Sequence, residues 1–320
     1  MGRLSYDTTE TLIYDPVAAN RTATRTALYT LGFRRIETVS SLEGFANAIR
    51  RRPPDLALCE CQGLDSQLCH VVQELRQGAG AFNPFIVVIV TAWEKSAALV
   101  SRVVDSGADD LLLRPFSTAL LGQRIASHVE RRKRFVVTTD YVGPDRRKDT
   151  ARPSTAELFD PPNSLRMKAK DRLTPEETAL RLDAELRAAR EMLNSQKLRR
   201  DAFQISILWR LMQEHIPGAA SDKSELEKIA TLTKGIARRC RDTELEAAVD
   251  WCDSVSAAVE GLQAGVDRNA AMHLLGHAAL SLNHVFHAEK STTDILTEID
   301  ATVAIIRART RTQAAAAAAR

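Results

Sequence analysis

The chain has 320 residues, 44% hydrophobic and 27% charged, the make-up of globular protein with length for about two domains. Its formal net charge of +3 gives no strong pull toward nucleic acid or an anionic membrane, and five cysteines make no disulfide framework. Met1–Glu10 is polar, unlike a signal peptide, and the longest strongly apolar run, Phe85–Val90, is far short of the roughly 18 residues a spanning helix needs, so the expected location is the reducing cytoplasm.

From about residue 11 to 130, short apolar runs alternate with helical patterns, the signature of βα units and a parallel sheet. The expected strands are Thr11–Tyr14, Arg35–Val39, Asp55–Glu60, Phe85–Thr91 and Asp110–Leu113. Several are nearly continuous apolar runs, as strands covered on both faces should be. Gly32 after Leu31 reads as a helix C-terminal signal. Ser40 with Glu43 reads as a capping box, and Asp65 as the N-cap of the helix through Leu68, Val71 and Leu75. The spacing predicts an α/β domain over residues 1–132, a doubly wound five-stranded parallel sheet of flavodoxin-like kind.

Residues 133–173 change character. Basic residues Arg131–Arg134 precede Gly143-Pro144, Pro153 and Pro161-Pro162, and this proline density with few apolar anchors reads as a linker. Residues 174–312 read as an all-α helical bundle, opened by Thr174-Pro175-Glu176-Glu177, with N-cap, helix-starting proline and capping-box glutamate. Asp222 with Glu225, Thr243 with Glu246, and Asp267 repeat the start signal. Residues 313–320 are an alanine-rich tail expected to fray.

In a doubly wound sheet, function collects beyond the carboxyl ends of the strands, where strand order reverses. That topology places Asp15 after the first strand beside Glu60 after the third, with Thr91 ending the fourth and Arg114-Pro115 the fifth. The same positions carry a resemblance. Leu12-Ile13-Tyr14-Asp15, Leu58-Cys59-Glu60, Val88-Ile89-Val90-Thr91-Ala92, Gly107-Ala108-Asp109-Asp110 and Leu113-Arg114-Pro115-Phe116 follow, in order, the motifs of bacterial response-regulator receiver (CheY-like) domains. Residues 10–130 are thus similar to a receiver, and Tyr141-Val142-Gly143-Pro144-Asp145-Arg146-Arg147 resembles a segment that recurs beside bacterial signalling domains. The resemblance makes Glu60 the equivalent of the phosphoacceptor aspartate and Asp15 that of an acidic-pocket residue. It makes Thr91 the switch hydroxyl, Arg114 the counterpart of the lysine, and Pro115 a cis proline.

The departures from the receiver pattern matter more than the matches. The second acidic position is Pro16, the acceptor position carries the longer Glu60, and a planar arginine stands for lysine. Phosphoryl transfer depends on positioning and charge, with Mg²⁺ on oxygen ligands. The expectation is therefore no phosphorylation, no cofactor and lost Mg²⁺ binding. Glu60 could then mimic the phosphorylated state, reaching Thr91 and pairing with Arg114 by two charge-assisted bonds. The plainer reading is a structural pair in which the two charges neutralise each other.

Other constellations are weaker. Cys59, Cys61, Cys69 and His70 lack a metal-site spacing and read as small buried hydrophobes. His273, His277, His284 and His287 fall within an arc of about 80° on one helix face, opposite Ala271, Leu275, Ala278, Leu282, Val285 and Phe286. They read as a polar stripe, with His273/His277 a lesser metal candidate. Receivers often work with histidine-phosphotransfer bundles, and Thr231-Leu232-Thr233-Lys234-Gly235 resembles their His-x-x-Lys-Gly motif with threonine at the histidine position. The basic clusters lack a recognisable nucleic-acid motif. No Gly-rich phosphate loop or hydrolase triad suggests an enzyme.

The function that follows is a response-regulator-like signal-transduction protein, not an enzyme, whose unphosphorylated receiver domain binds other signalling proteins. Alternatives are a phosphorelay component carrying phosphate in the helical domain, or a metal-binding regulator. The long helix from Glu176 to Arg200 makes a homodimer an additional expectation, with neither membrane nor nucleic acid as partner.

Overall fold

The computed structural model describes residues 4–78, 83–138, 141–146, 158–213, 220–241, 243–265 and 267–318. In chain order the first part runs β1 (Glu10–Tyr14), α1 (Ala18–Thr30), β2 (Arg35–Val39), α2 (Leu42–Arg51), β3 (Leu56–Glu60) and α3 (Asp65–Arg76). It continues with β4 (Val87–Ala92), α4 (Ala97–Asp105), β5 (Asp110–Leu113) and α5 (Thr118–Glu130). The strands form one five-stranded sheet in the order β2-β1-β3-β4-β5, and every pair is parallel. This is the doubly wound topology that the sequence pattern predicts.

Alternation along the strands divides the core between two faces. Leu12, Tyr14, Ala57, Cys59, Val88 and Val90 point toward α2, α3 and α4, where Phe45, Leu68 and Val103 meet them. Ile13, Leu56, Leu58, Val87, Ile89 and Leu112 point toward α1 and α5, against Leu28, Leu121 and Ile125. Burial on both sides is why β3 and β4 read as unbroken apolar runs.

Local signals fall close to expectation, with two shifts. The N-cap of α2 is Ser41, whose side chain accepts from the Gly44 N–H, rather than Ser40. Asp65 lies inside the first turn of α3 without capping it and pairs with Arg102. Gly32 closes α1 at φ +105°, a left-handed conformation that glycine takes without Cβ strain.

Residues 133–173 are not a plain linker. They contain β6 (Phe135–Val137), β7 (Val142–Pro144) and β8 (Leu158–Phe159), an antiparallel sheet ordered β7-β6-β8, and then α6 (Ser164–Ala169). The apolar anchors are few but well placed: Phe135, Val137, Val142, Phe159, Leu165 and Ala169 are all buried. Phe85, Phe135 and Phe159 meet edge to face at 5.8–6.1 Å between ring centres. Pro144 sits on an edge strand, where a missing N–H costs no ladder bond.

A buried ionic network welds this annex to the amino ends of β4 and β5. Asp109 accepts from Arg76 Nη2 at 2.8 Å and from Arg132 Nε at 2.8 Å. The remaining guanidinium donors reach the carbonyls of Phe85, Ile86 and Gly107. Both arginines lie over the Phe135 ring, at 5.4 and 5.0 Å. Arg146 donates to the carbonyls of Ala108 and Asp109. Beside it Gly143 approaches Gly107 so closely that a Cβ on Gly143 would lie 2.7 Å from the Gly107 Cα. The segment from Tyr141 to Arg146 thus acquires a structural role that its sequence did not disclose; Arg147 lies outside the described residues.

The helices that follow are α7 (Pro175–Met212), α8 (Ala220–Cys240), α9 (Ala247–Ala264), α10 (Arg268–Phe286) and α11 (Thr292–Ala318). Thr174 and Glu177 make the expected reciprocal capping box, and Asp267 caps α10 through the Ala270 N–H. Asp222 instead lies inside α8, and Thr243 precedes an α9 whose N-cap is Glu246. The chain divides into two compact units, Met1–Glu191 and Met192–Arg320, with α7 contributing to each. In the second unit Leu198, Ile205, Ile236, Cys252, Val255, Leu275 and Leu282 build a helical-bundle core, and α11 adds Ile295, Ile299 and Val303 against Ile207. Asn283 is buried there and donates to the Ala202 carbonyl at 3.0 Å and to Ser206 Oγ at 2.7 Å. The alanine run continues α11 to Ala318 rather than fraying from 313; Ala319 and Arg320 lie outside the described residues.

Candidate functional site

Parallel pairing fixes which strand ends are neighbours. The register sets Tyr14 opposite Cys59 and Glu60 opposite Thr91, so Asp15, Glu60 and Thr91 emerge side by side at the carboxyl edge. Arg114 leaves β5 just beyond and reaches back, followed by a cis Arg114-Pro115 peptide. The structure brings together all four side chains that the sequence nominates, and Asp15, Glu60 and Thr91 are buried.

Glu60 has no unused carboxylate oxygen. Oε1 accepts from the N–H groups of Cys61 and Gln62, both at 3.1 Å. Oε2 accepts from Thr91 Oγ1 at 2.8 Å and from Arg114 Nε at 2.8 Å. Arg114 Nη2 donates to Asp15 Oδ2 and to Thr24 Oγ1, both at 3.1 Å, and its guanidinium carbon lies 4.9 Å from the centre of the Phe116 ring. Asp15 Oδ1 accepts from the Val17 N–H at 2.8 Å. One guanidinium therefore bridges two buried carboxylates, an arrangement that suits the planar fork of arginine. Counting formal charges, Asp15 and Glu60 against Arg114 leave the corner at −1.

Pro16 is exposed and offers only its carbonyl, which accepts from Arg21 Nη1 at 3.1 Å; the same nitrogen reaches the Asp15 carbonyl at 2.6 Å. Sequence reasoning missed Arg21 and Thr24. Thr24 lies four residues before buried Leu28 on the inner face of α1, a polar interruption that marks a residue facing the site.

Elsewhere, Cys59, Cys61 and Cys69 are buried free thiols, and burial pushes the Cys61 thiol up to about 12. His70 stands apart from them, paired with Glu74 at 3.5 Å. On α10 the expected apolar face is the buried one, while His273, His277 and His284 are exposed and His277 lies 5.3 Å from the Trp251 ring. His287 is half-buried at the helix end, where burial lowers its pKa. Among the described residues no three His, Cys, Asp or Glu are grouped to hold a metal ion. Thr231 and Lys234 are exposed on α8, and Thr231 Oγ1 donates back to the Glu227 carbonyl. No described helix is long and apolar enough to cross a membrane.

No protein-family model matches the chain, and no curated protein is similar to it. Solved structures do match part of it. An orphan response regulator of H. pylori is 20% identical over 38% of this chain and 97% of its own, with a TM-score of 0.33. A CheY-like receiver domain protein from Methanospirillum hungatei is 17% identical over 39% of this chain and 97% of its own, with a TM-score of 0.35. DrrB of Thermotoga maritima, an OmpR/PhoB homolog, is 19% identical over 41% of this chain and 57% of its own, with a TM-score of 0.35. At such identities and TM-scores these likenesses bear on neither partner nor chemistry.

Proposed function

We propose that the first domain is a receiver-like signal-transduction module held in one conformation, which acts by binding other signalling proteins and not by accepting phosphate. The observation that carries this reading is the saturation of Glu60. A carboxylate nucleophile needs a free lone pair aimed at phosphorus, and both oxygens of Glu60 are engaged by two backbone N–H groups, Thr91 and Arg114. Mg²⁺ does not fit these residues either. It requires oxygen donors in near-octahedral array, whereas Arg114 occupies both carboxylates and Pro16 supplies none. With Thr91 drawn to Glu60, the corner is already in the pulled-in arrangement that a switch hydroxyl would otherwise reach on modification.

Incubating the full chain with Mg²⁺ and acetyl phosphate, followed by mass spectrometry, tests the reading. The expected result is no phosphate on Glu60 or Asp15; stable phosphate on either overturns it. A pull-down comparing wild type with Glu60→Ala should lose partners if the locked corner shapes the binding surface.

A second reading has one observation in its favour: the exposed imidazoles of His273, His277 and His284 are open to a phosphodonor or a metal ion. Acid-labile phosphate on one of them would make the chain a phosphorelay component. Zn²⁺ uptake lost in His277→Ala would make it a metal-binding regulator. Self-association through the helix from Glu176 to Arg200 is read by light scattering, where a monomer mass at micromolar concentration removes it.

A further inference from the structure

A second site lies at the opposite edge of the sheet, within the first unit. There a cavity of about 320 Å³ opens beside the amino ends of β1, β2 and β3, under the first turns of α7. Its volume is at the low end for small-molecule sites. Its walls differ in kind. One wall is cationic: Arg35 Nη1 and Arg52 Nη2 converge on the same Glu10 oxygen at 3.0 and 2.8 Å, two guanidinium groups on one carboxylate. Lys168, also in the lining, is matched by Asp55 at 2.7 Å. The charged lining therefore carries three cations against two carboxylates, a surplus of +1. The other wall is apolar, formed by Leu182 and Leu186, one turn apart on α7.

Between the two stands Thr178. It lines the cavity and is only 3% exposed, and its hydroxyl oxygen has no hydrogen-bond partner among the described residues. The oxygen itself lies beneath the wall, out of reach of a bound molecule, so polar recognition falls to the two arginines.

We propose that this cavity binds a small amphipathic organic anion. Its carboxylate would take the forked donors of Arg35 and Arg52 that Glu10 leaves free, since each arginine commits one nitrogen to Glu10. Its short aliphatic body lies along Leu182 and Leu186. The site is independent of the Glu60 corner and stands whether or not that corner is locked.

The test is calorimetric titration of the full chain with butyrate, hexanoate and octanoate, with hexylamine and hexanol as controls. The expected result is saturable binding of a carboxylate, at least tenfold tighter than hexylamine or hexanol of the same length. Arg52→Ala should weaken it at least fivefold. The Arg52 side chain is 66% exposed, so the fold tolerates its loss. Arg35→Ala, at a side chain 46% exposed, should weaken binding by a similar factor with an unchanged melting temperature. Absence of saturable binding by any of the carboxylates overturns the proposal. So does equal affinity for hexylamine, or carboxylate binding that neither variant changes.

Discussion

The two edges of the central sheet hold ionic clusters of similar burial and different reach. At the carboxyl edge, Asp15, Glu60, Thr91 and Arg114 come from four strand ends that parallel pairing makes neighbours. At the amino edge, Asp109 is gripped by Arg76 from α3 and by Arg132, which begins the annex of β6, β7 and β8. In the first cluster one arginine serves two carboxylates, so a carboxylate can be removed without stranding a cation. In the second, two arginines depend on one carboxylate, so loss of Asp109 strands both. Equal burial therefore does not mean equal cost: the topology of the pairing decides it.

The strongest way to break this comparison is to cut the chain after Arg132. The fragment 1–132 keeps every strand of the main sheet but loses Phe135 and Phe159 from beside Phe85. It should show no cooperative unfolding transition by circular dichroism, while a fragment 1–191 should. A cooperative 1–132 would show that the annex is an ornament.

Asp109→Asn comes next. It leaves the buried Arg76 and Arg132 without a counter-ion and should cost about 3–5 kcal/mol in urea denaturation. Burial pushes the Asp109 carboxyl up, but Arg132 and Arg76 outweigh it and hold it below its ordinary value of 3.8. A carboxylate held low in the folded state contributes stability that is fully present above its unfolded pKa. The wild-type urea midpoint should lose this contribution as pH falls below 3.8 and through the lower folded value. Asp109→Asn should flatten part of that fall; an unchanged acid limb would separate Asp109 from acid stability.

Gly143→Ala should cost about 1–3 kcal/mol, because the new methyl group meets the Gly107 backbone, which cannot rotate away as a side chain could. The smallest effect is expected at the other edge. Glu60→Gln keeps an acceptor for the Cys61 and Gln62 N–H groups and leaves Arg114 on Asp15, but it sets an amide N–H₂ against Arg114 Nε, so it should cost about 1–2 kcal/mol. A Glu60→Gln penalty larger than that of Asp109→Asn would reverse the ranking of the two edges.

The carboxyl-edge corner was legible because strands buried on both faces announce themselves. The spans of β2 and β5 agree with expectation, and those of β1, β3 and β4 differ only at their ends. Once strand ends are placed, their neighbours follow from topology alone. Thr24 and Arg21 escaped because they reach the site from a helix, where no strand end marks them. The annex escaped for a different reason. Its strands are two or three residues long, and its stability comes from partners far along the chain, Phe85, Asp109 and Arg76. Composition averaged over residues 133–173 records the prolines and dilutes these anchors. The polar stripe on α10 was legible from periodicity, since the buried Ala271, Leu275, Ala278 and Leu282 define the face opposite the histidines.

The Asn283 amide gives the helical bundle a mechanical property. It bonds across from α10 to Ala202 and Ser206 on α7, inside a mainly apolar core that also buries Asp201 and Thr233. Sliding one helix along the other by a turn, about 5.4 Å, would carry that amide away from both partners on α7. Piston motion between these two helices is thereby penalised relative to tilting.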